Sequence, residues 1–166
     1  MKKALHRSKL HLSAACLLAA CLLSACASKP PKPEPARARL VASEHVNPDA
    51  SGRASPIVVR LFQLRDEDAF ATAEFFDLYG KEKEVLGESL VSRQEYMLAP
   101  GETRDLEIPL DAQARFLGVL AAYRDIRGAQ WRALTRAPEK KLTDLLGRDG
   151  VTITLDKDTV ALSVKD

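Results

Sequence analysis

No cysteine lies beyond position 26 and no histidine beyond position 45. The chain after Cys26 therefore cannot cross-link itself through a disulfide. A lone His45 without a free thiol also falls short of an ordinary zinc site. No glycine-rich segment stands between a strand pattern and a helix pattern, which excludes the familiar phosphate cradles. Asp156-Lys157-Asp158 is too short for a calcium loop. A Ser-His-Asp triad is arithmetically open, but no motif surrounds His45, and no enzymatic activity or cofactor is expected. Long apolar runs are scarce as well. The longest, Leu12 to Leu23, is broken only by Ser13 and is short of the about 20 residues a membrane helix requires. Neither an internal repeat nor a coiled-coil heptad is present.

The N-terminus is organised in three parts. Lys2, Lys3, Arg7 and Lys9 form a basic opening without acidic residues, the apolar run follows, and Leu23-Ser24-Ala25-Cys26 closes it. That order is the layout of a secretory signal, and the closing tetrapeptide resembles the signature of bacterial lipoproteins. The resemblance implies cleavage before Cys26, with diacylglycerol on its sulfur and acylation, typically by palmitate, of the new amino group. Cys16 and Cys21 would leave with residues 1–25. Four basic residues leave too, so 25 Lys and Arg become 21 against 23 acidic residues, and the formal charge changes from +2 to −2. A chain of that balance has no electrostatic footprint for nucleic acid.

Residues 26–37 hold Pro30, Pro31, Pro33 and Pro35. Such density opposes helix and interior strand and favours an extended, polyproline-like tether. Residues 38–166 are then long enough for one domain with one core.

Within that domain the dominant period is two. Strands are expected over 40–46, 57–64, 89–98, 103–110, 116–123, 131–135, and in two closing runs linked by Asp156-Lys157-Asp158-Thr159. Residues 57–64 are apolar on both faces, as a covered central strand would be. The spacing of Phe70, Ala73, Phe76 and Tyr79 predicts a helix over 66–79, with Asp66 or Asp68 as cap and Gly80 at its end. A helical turn is expected over 111–115, and Leu142, Leu145 and Leu146 suggest a short amphipathic helix within 138–150. About eight short strands with helical insertions favour a mainly β, two-sheet sandwich over an α/β sheet.

Little in this pattern carries chemistry. Asp66 with Asp68, and Asp156 with Asp158, are explained by capping and turns. Arg60, Arg115, Arg124 and Arg132 read as surface charge. Trp131 reads as a core residue, and Gly118 as a site of close packing or a bulge.

Several stretches in order resemble the TssJ lipoprotein family of type VI secretion systems. They are Asn47-Pro48-Asp49 with Gly52-Arg53 and Ser55-Pro56, Val58 through Leu64, Phe70 with Phe75-Phe76-Asp77-Leu78, Leu98 through Thr103, and Phe116 through Trp131-Arg132. The resemblance implies a transthyretin-like β-sandwich and an outer-membrane lipoprotein facing the periplasm. It also implies binding to the periplasmic C-terminal domain of TssM, and through that complex to TssL. In the family, the loop joining the first two strands contacts TssM. Here that loop is Asn47, Pro48, Asp49, Ala50, Ser51, Gly52, Arg53, Ala54, Ser55 and Pro56. The residues themselves read equally as a tight connection or as a binding loop of a compact domain. Ala27 lacks the aspartate that commonly retains lipoproteins at the inner membrane, which favours the outer membrane, although some bacteria also read Ser28 and Lys29. Another secretion pilotin or assembly lipoprotein, or more remotely a lipid-anchored hydrolase, are the competing readings.

Overall fold

The computed structural model describes residues 34–138 and 150–165. Eight strands fall in the order β1 Glu34–Ala42, β2 Ile57–Leu64, β3 Leu90–Leu98, β4 Thr103–Leu110, β5 Phe116–Ala121, β6 Arg132–Arg136, β7 Gly150–Leu155 and β8 Val160–Lys165. Two helices, α1 Asp68–Thr72 and α2 Phe75–Leu86, lie between β2 and β3. The strands form two four-stranded sheets, β4-β1-β7-β8 and β3-β2-β5-β6. The expected mainly β sandwich of about eight strands is thus the fold. Every pairing is antiparallel except β1 with β7. Among the described residues no helix is long and apolar enough to cross a membrane.

Alternation assigns the faces. Ile57, Val59 and Leu61 of β2 point between the sheets with Leu117, Val119 and Ala121 of β5, and there meet Leu40, Ile108, Ile153 and Leu155 from the other sheet. The opposite face of β2 and β5 is also covered, because Phe62, Leu64, Phe116 and Leu120 pack against Phe70, Phe75, Leu78 and Leu86 of the helical insertion. Burial on both sides explains why β5 is apolar throughout and why β2 is apolar except for Arg60 and Gln63. Gly118 faces the helices, and a Cβ there would lie 2.8 Å from the Phe70 ring. Close packing, rather than a bulge, is its role. Gln63 is buried and donates to Pro109 O at 2.9 Å while its Oε1 accepts from Asp111 N at 2.8 Å, clamping β2 to the end of β4.

The structure corrects several expectations. The first strand is Glu34–Ala42 and not 40–46, so the last four residues of the expected tether, 34–37, are strand. Pro35 is tolerated because it faces Pro109 of β4, and pairing with β7 begins only at Arg37. His45 then lies in an exposed turn instead of a strand. The single helix over 66–79 is two helices, separated by extended backbone at Ala73 and Glu74 (ψ 151° and 153°). That break rotates the apolar stripe by about one residue: Phe75 and Leu78 are buried, whereas Phe76 is 75% exposed. Glu67, not Asp66 or Asp68, holds the first N-cap position, without a side-chain hydrogen bond. Gly80 does precede a break, since Lys81 (φ −136°, ψ 32°) is non-helical and kinks α2, but the element resumes and Gly87 (φ 49°) ends it. Residues 111–115 make a turn without a helix. The helix expected within 138–150, like Cys26, falls outside the described residues.

Arg60 and Arg132 are structural and not merely surface charge. Arg60 ion-pairs with Glu82 at 2.9 Å and Glu95 at 2.7 Å, and its guanidinium lies 4.0 Å from the Tyr79 ring centre. Arg132 donates to Phe70 O and Ala73 O at 3.1 and 2.8 Å, satisfying carbonyls where α1 ends. Between them Tyr79 stacks on Phe75, and Phe75 meets Trp131 edge-on at 5.2 Å. Three aromatic rings in a row, with an arginine at each end, form the seam that fastens the helices to the sheet.

Candidate interaction site

Strand directions place four connections at one end of the sandwich: residues 43–56, 99–102, 122–131 and 156–159. β1 enters at the opposite end and delivers the chain to this one. The first connection is the longest, and it is folded on its own hydrogen bonds. Ser55 N donates to Val46 O at 3.1 Å, and Asp49 N to Arg53 O at 2.8 Å. Gly52 N returns to Asp49 O at 2.8 Å, a turn that the positive φ of Gly52 (79°) permits.

Asp49 organises the tip. Its Oδ1 accepts from Ser51 N at 2.9 Å and Arg53 N at 3.0 Å, and Oδ2 lies 3.1 Å from the Arg53 guanidinium. The hydrogen bond from Arg53 N, followed by that from Ser51 N and the Arg53 charge, holds the Asp49 carboxyl below its ordinary range. Ala50, Ser51, Gly52 and Arg53 are exposed, whereas Asn47 and Ser55 at the base are buried. Pro48 and Ala54 are half-buried and Pro56 is exposed. The loop thus presents a four-residue exposed tip on a fixed base.

Asn47 fixes that base to the neighbouring connections. Its φ is 52°, a left-handed conformation that asparagine accepts better than most residues. Its Nδ2 donates to Pro56 O, and its Oδ1 accepts from Arg124 N, both at 2.8 Å. Its own N–H donates to Lys157 O at 3.0 Å. Ser43 joins the same assembly: Gly101 N donates to Ser43 O at 3.1 Å, and Ser43 N to Leu155 O at 2.8 Å. Buried Tyr123 donates to Asp156 O at 3.2 Å, and burial raises its phenol pKa, with the Asp158 and Asp156 charges adding to the rise. Sequence reasoning found the loop but missed Asn47 as its positioning residue and missed the part played by residues 122–131. The one available signal was an asparagine, a residue suited to turns, placed directly before a proline.

His45 is exposed, and among the described residues no group of three or more His, Cys, Asp or Glu side chains could hold a metal ion. The arrangement can present a shaped surface to another macromolecule.

Residues 34–158 match the family described as Type VI secretion lipoprotein, VasD, EvfM, TssJ. The chain belongs to this family. Its sandwich is similar to that of the type VI secretion lipoprotein TssJ1 from Pseudomonas aeruginosa, at 35% identity, covering 80% of this chain and 98% of that one with a TM-score of 0.71. It is also similar to Serratia marcescens Lip, a membrane-bound component of the type VI secretion system, at 28% identity over 79% of this chain and 98% of Lip, TM-score 0.69. A chain of the type VI membrane complex matches at 26% identity, with 78% and 98% covered and a TM-score of 0.67. A search of curated proteins found no match. As a member of this family the chain is a type VI secretion lipoprotein.

Proposed function

We propose that this TssJ-family lipoprotein is acylated on Cys26, resides on the periplasmic face of the outer membrane, and binds the periplasmic C-terminal domain of TssM through residues 47–56. TssL joins through the same complex. The protein acts as a scaffold and uses no cofactor. The observation that carries the reading is the prefolded loop at the end of the sandwich opposite the entry of β1. Asp49 and Asn47 hold the loop in one shape before a partner arrives, which reduces the conformational entropy lost on binding. Entry of the tether at the other end leaves the tip facing away from the bilayer.

The test replaces residues 49–54 by a two-glycine link and measures affinity for the periplasmic domain of TssM. Loss of binding with unchanged thermal unfolding is expected, and unchanged affinity would overturn the loop assignment. Labelled palmitate incorporated by the native chain and absent from Cys26→Ser tests the anchor separately.

A further inference from the structure

At the end where β1 begins, two arginines share one aromatic ring. The guanidinium carbons of Arg115 and Arg136 lie 6.0 and 5.7 Å from the ring centre of Phe116. The ladder places both: Phe116 is the cross-strand partner of Arg136, and Ala137 N donates to Arg115 O at 2.9 Å. Both arginines are exposed. Among the described residues, neither has a carboxylate within salt-bridge distance, unlike Arg39, Arg53, Arg60, Arg93 and Arg104. The two border a cleft of about 360 Å³ that Ala112, Ala137 and Pro138 also line. Asp111 lines it too, with its Oδ1 engaged by Gln113 N at 2.8 Å.

We infer that this cleft receives the phosphate of an anionic phospholipid headgroup in the bilayer to which the chain is tethered. The inference rests on the proposed acylation of Cys26. A guanidinium fork matches phosphate oxygens two at a time, and an aromatic face steadies its plane without consuming its N–H donors. Two such forks on one ring, without carboxylate partners, leave a paired positive charge beside an apolar wall. The cleft volume is that of a small-ligand site rather than of a protein interface. Position selects the membrane as the source of the phosphate. Strand β1 starts at Glu34, eight residues after Cys26, so the chain between them spans at most about 29 Å. The end bearing Arg115 and Arg136 is therefore the end that the tether holds near the headgroups. The opposite end carries the 47–56 loop.

Vesicle sedimentation tests the inference. Among the described residues the buried members of both cores lie between Ala38 and Val160, with Leu162 and Val164 packed against them, so residues 26–166 with Cys26→Ser retain both described cores without the lipid. This chain is mixed with vesicles of phosphatidylethanolamine and phosphatidylglycerol, and with vesicles of phosphatidylcholine alone. Selective, salt-sensitive binding to the anionic vesicles is expected. It should be about thirtyfold weaker in the Arg115→Gln/Arg136→Gln double variant, since each arginine near an anionic surface contributes about a fivefold factor. Thermal unfolding of the double variant should be unchanged. Arg53→Gln, at the other end, should bind vesicles as the parent does. Equal binding by the double variant, or an equal loss in Arg53→Gln, would overturn the site. Equally strong binding of inorganic phosphate without vesicles, followed by arginine side-chain NMR, would overturn the membrane as its source. Because the probe carries no lipid, a negative result beside palmitate-labelled Cys26 removes the cleft and leaves the anchor standing.

Discussion

The side-chain amide of Asn47 ties together two loops 77 residues apart in the chain, accepting from Arg124 N while donating to Pro56 O. One buried residue thereby closes its own loop and braces it against the β5–β6 connection. Asn47→Ala removes both bonds, leaves two backbone groups unpaired, and puts an alanine at positive φ. It should lower stability by about 2–4 kcal/mol in urea unfolding. Asn47→Gly keeps the conformation and should recover about 1 kcal/mol of that loss. A midpoint for Asn47→Ala equal to the parent's would contradict the bracing role.

Phe75 and Phe76 are adjacent but belong to different environments. Phe75 is buried against Tyr79 and Trp131, while Phe76 touches Phe75 and is otherwise largely in water. Phe75→Ala should cost about 3–5 kcal/mol through the cavity it leaves. Phe76→Ala should change stability by no more than about 0.5 kcal/mol. Thermal and urea unfolding of the two variants decide the phase of α2, and a reversed order would place the helix wrongly on the sheet.

Acid should weaken the fold, and Arg60 should account for part of the loss. The hydrogen bond from Arg60, then the charges of Arg60 and Arg93, lower the Glu95 pKa; Arg39 lowers that of Asp105, chiefly by its hydrogen bond. A carboxylate whose folded pKa is depressed contributes stability above its unfolded pKa and loses it as pH falls through the folded value. The unfolding midpoint should therefore decline from about pH 5 downward, at and below the ordinary carboxylate range. Arg60→Gln should make that decline shallower as well as lowering stability at neutral pH. Parallel pH profiles for parent and variant would remove Glu95 from the explanation.

Residues 103–110 were legible because period-two alternation records burial directly, and residues 57–64 because a short run apolar on both faces marks a covered strand; they coincide with β4 and β2. Helix phase was not. Two extended residues, Ala73 and Glu74, interrupt the 3.6-residue period, and nothing local in Ala-Glu-Phe-Phe announces the break. Proline density misplaced β1 because the rule against proline in strands assumes partners on both sides, and at Pro35 only β4 is paired. The candidate loop was found through family resemblance together with its turn residues. Its brace was invisible, since the partner of Asn47 lies far along the chain.

Strand β1 has a mechanical consequence. It leads from the tether end straight into the loop end, as nine residues of already extended backbone. Tension between an anchored N-terminus and a partner gripping residues 47–56 would travel through the covalent bonds of β1. It would not have to pull one strand past another. At about 3.3 Å per residue against a ceiling near 3.6 Å, that stretch has almost no slack. The two sheets therefore need not be strong along this axis. They act as a sleeve around a taut cord, keeping the far end in shape while the cord takes the pull.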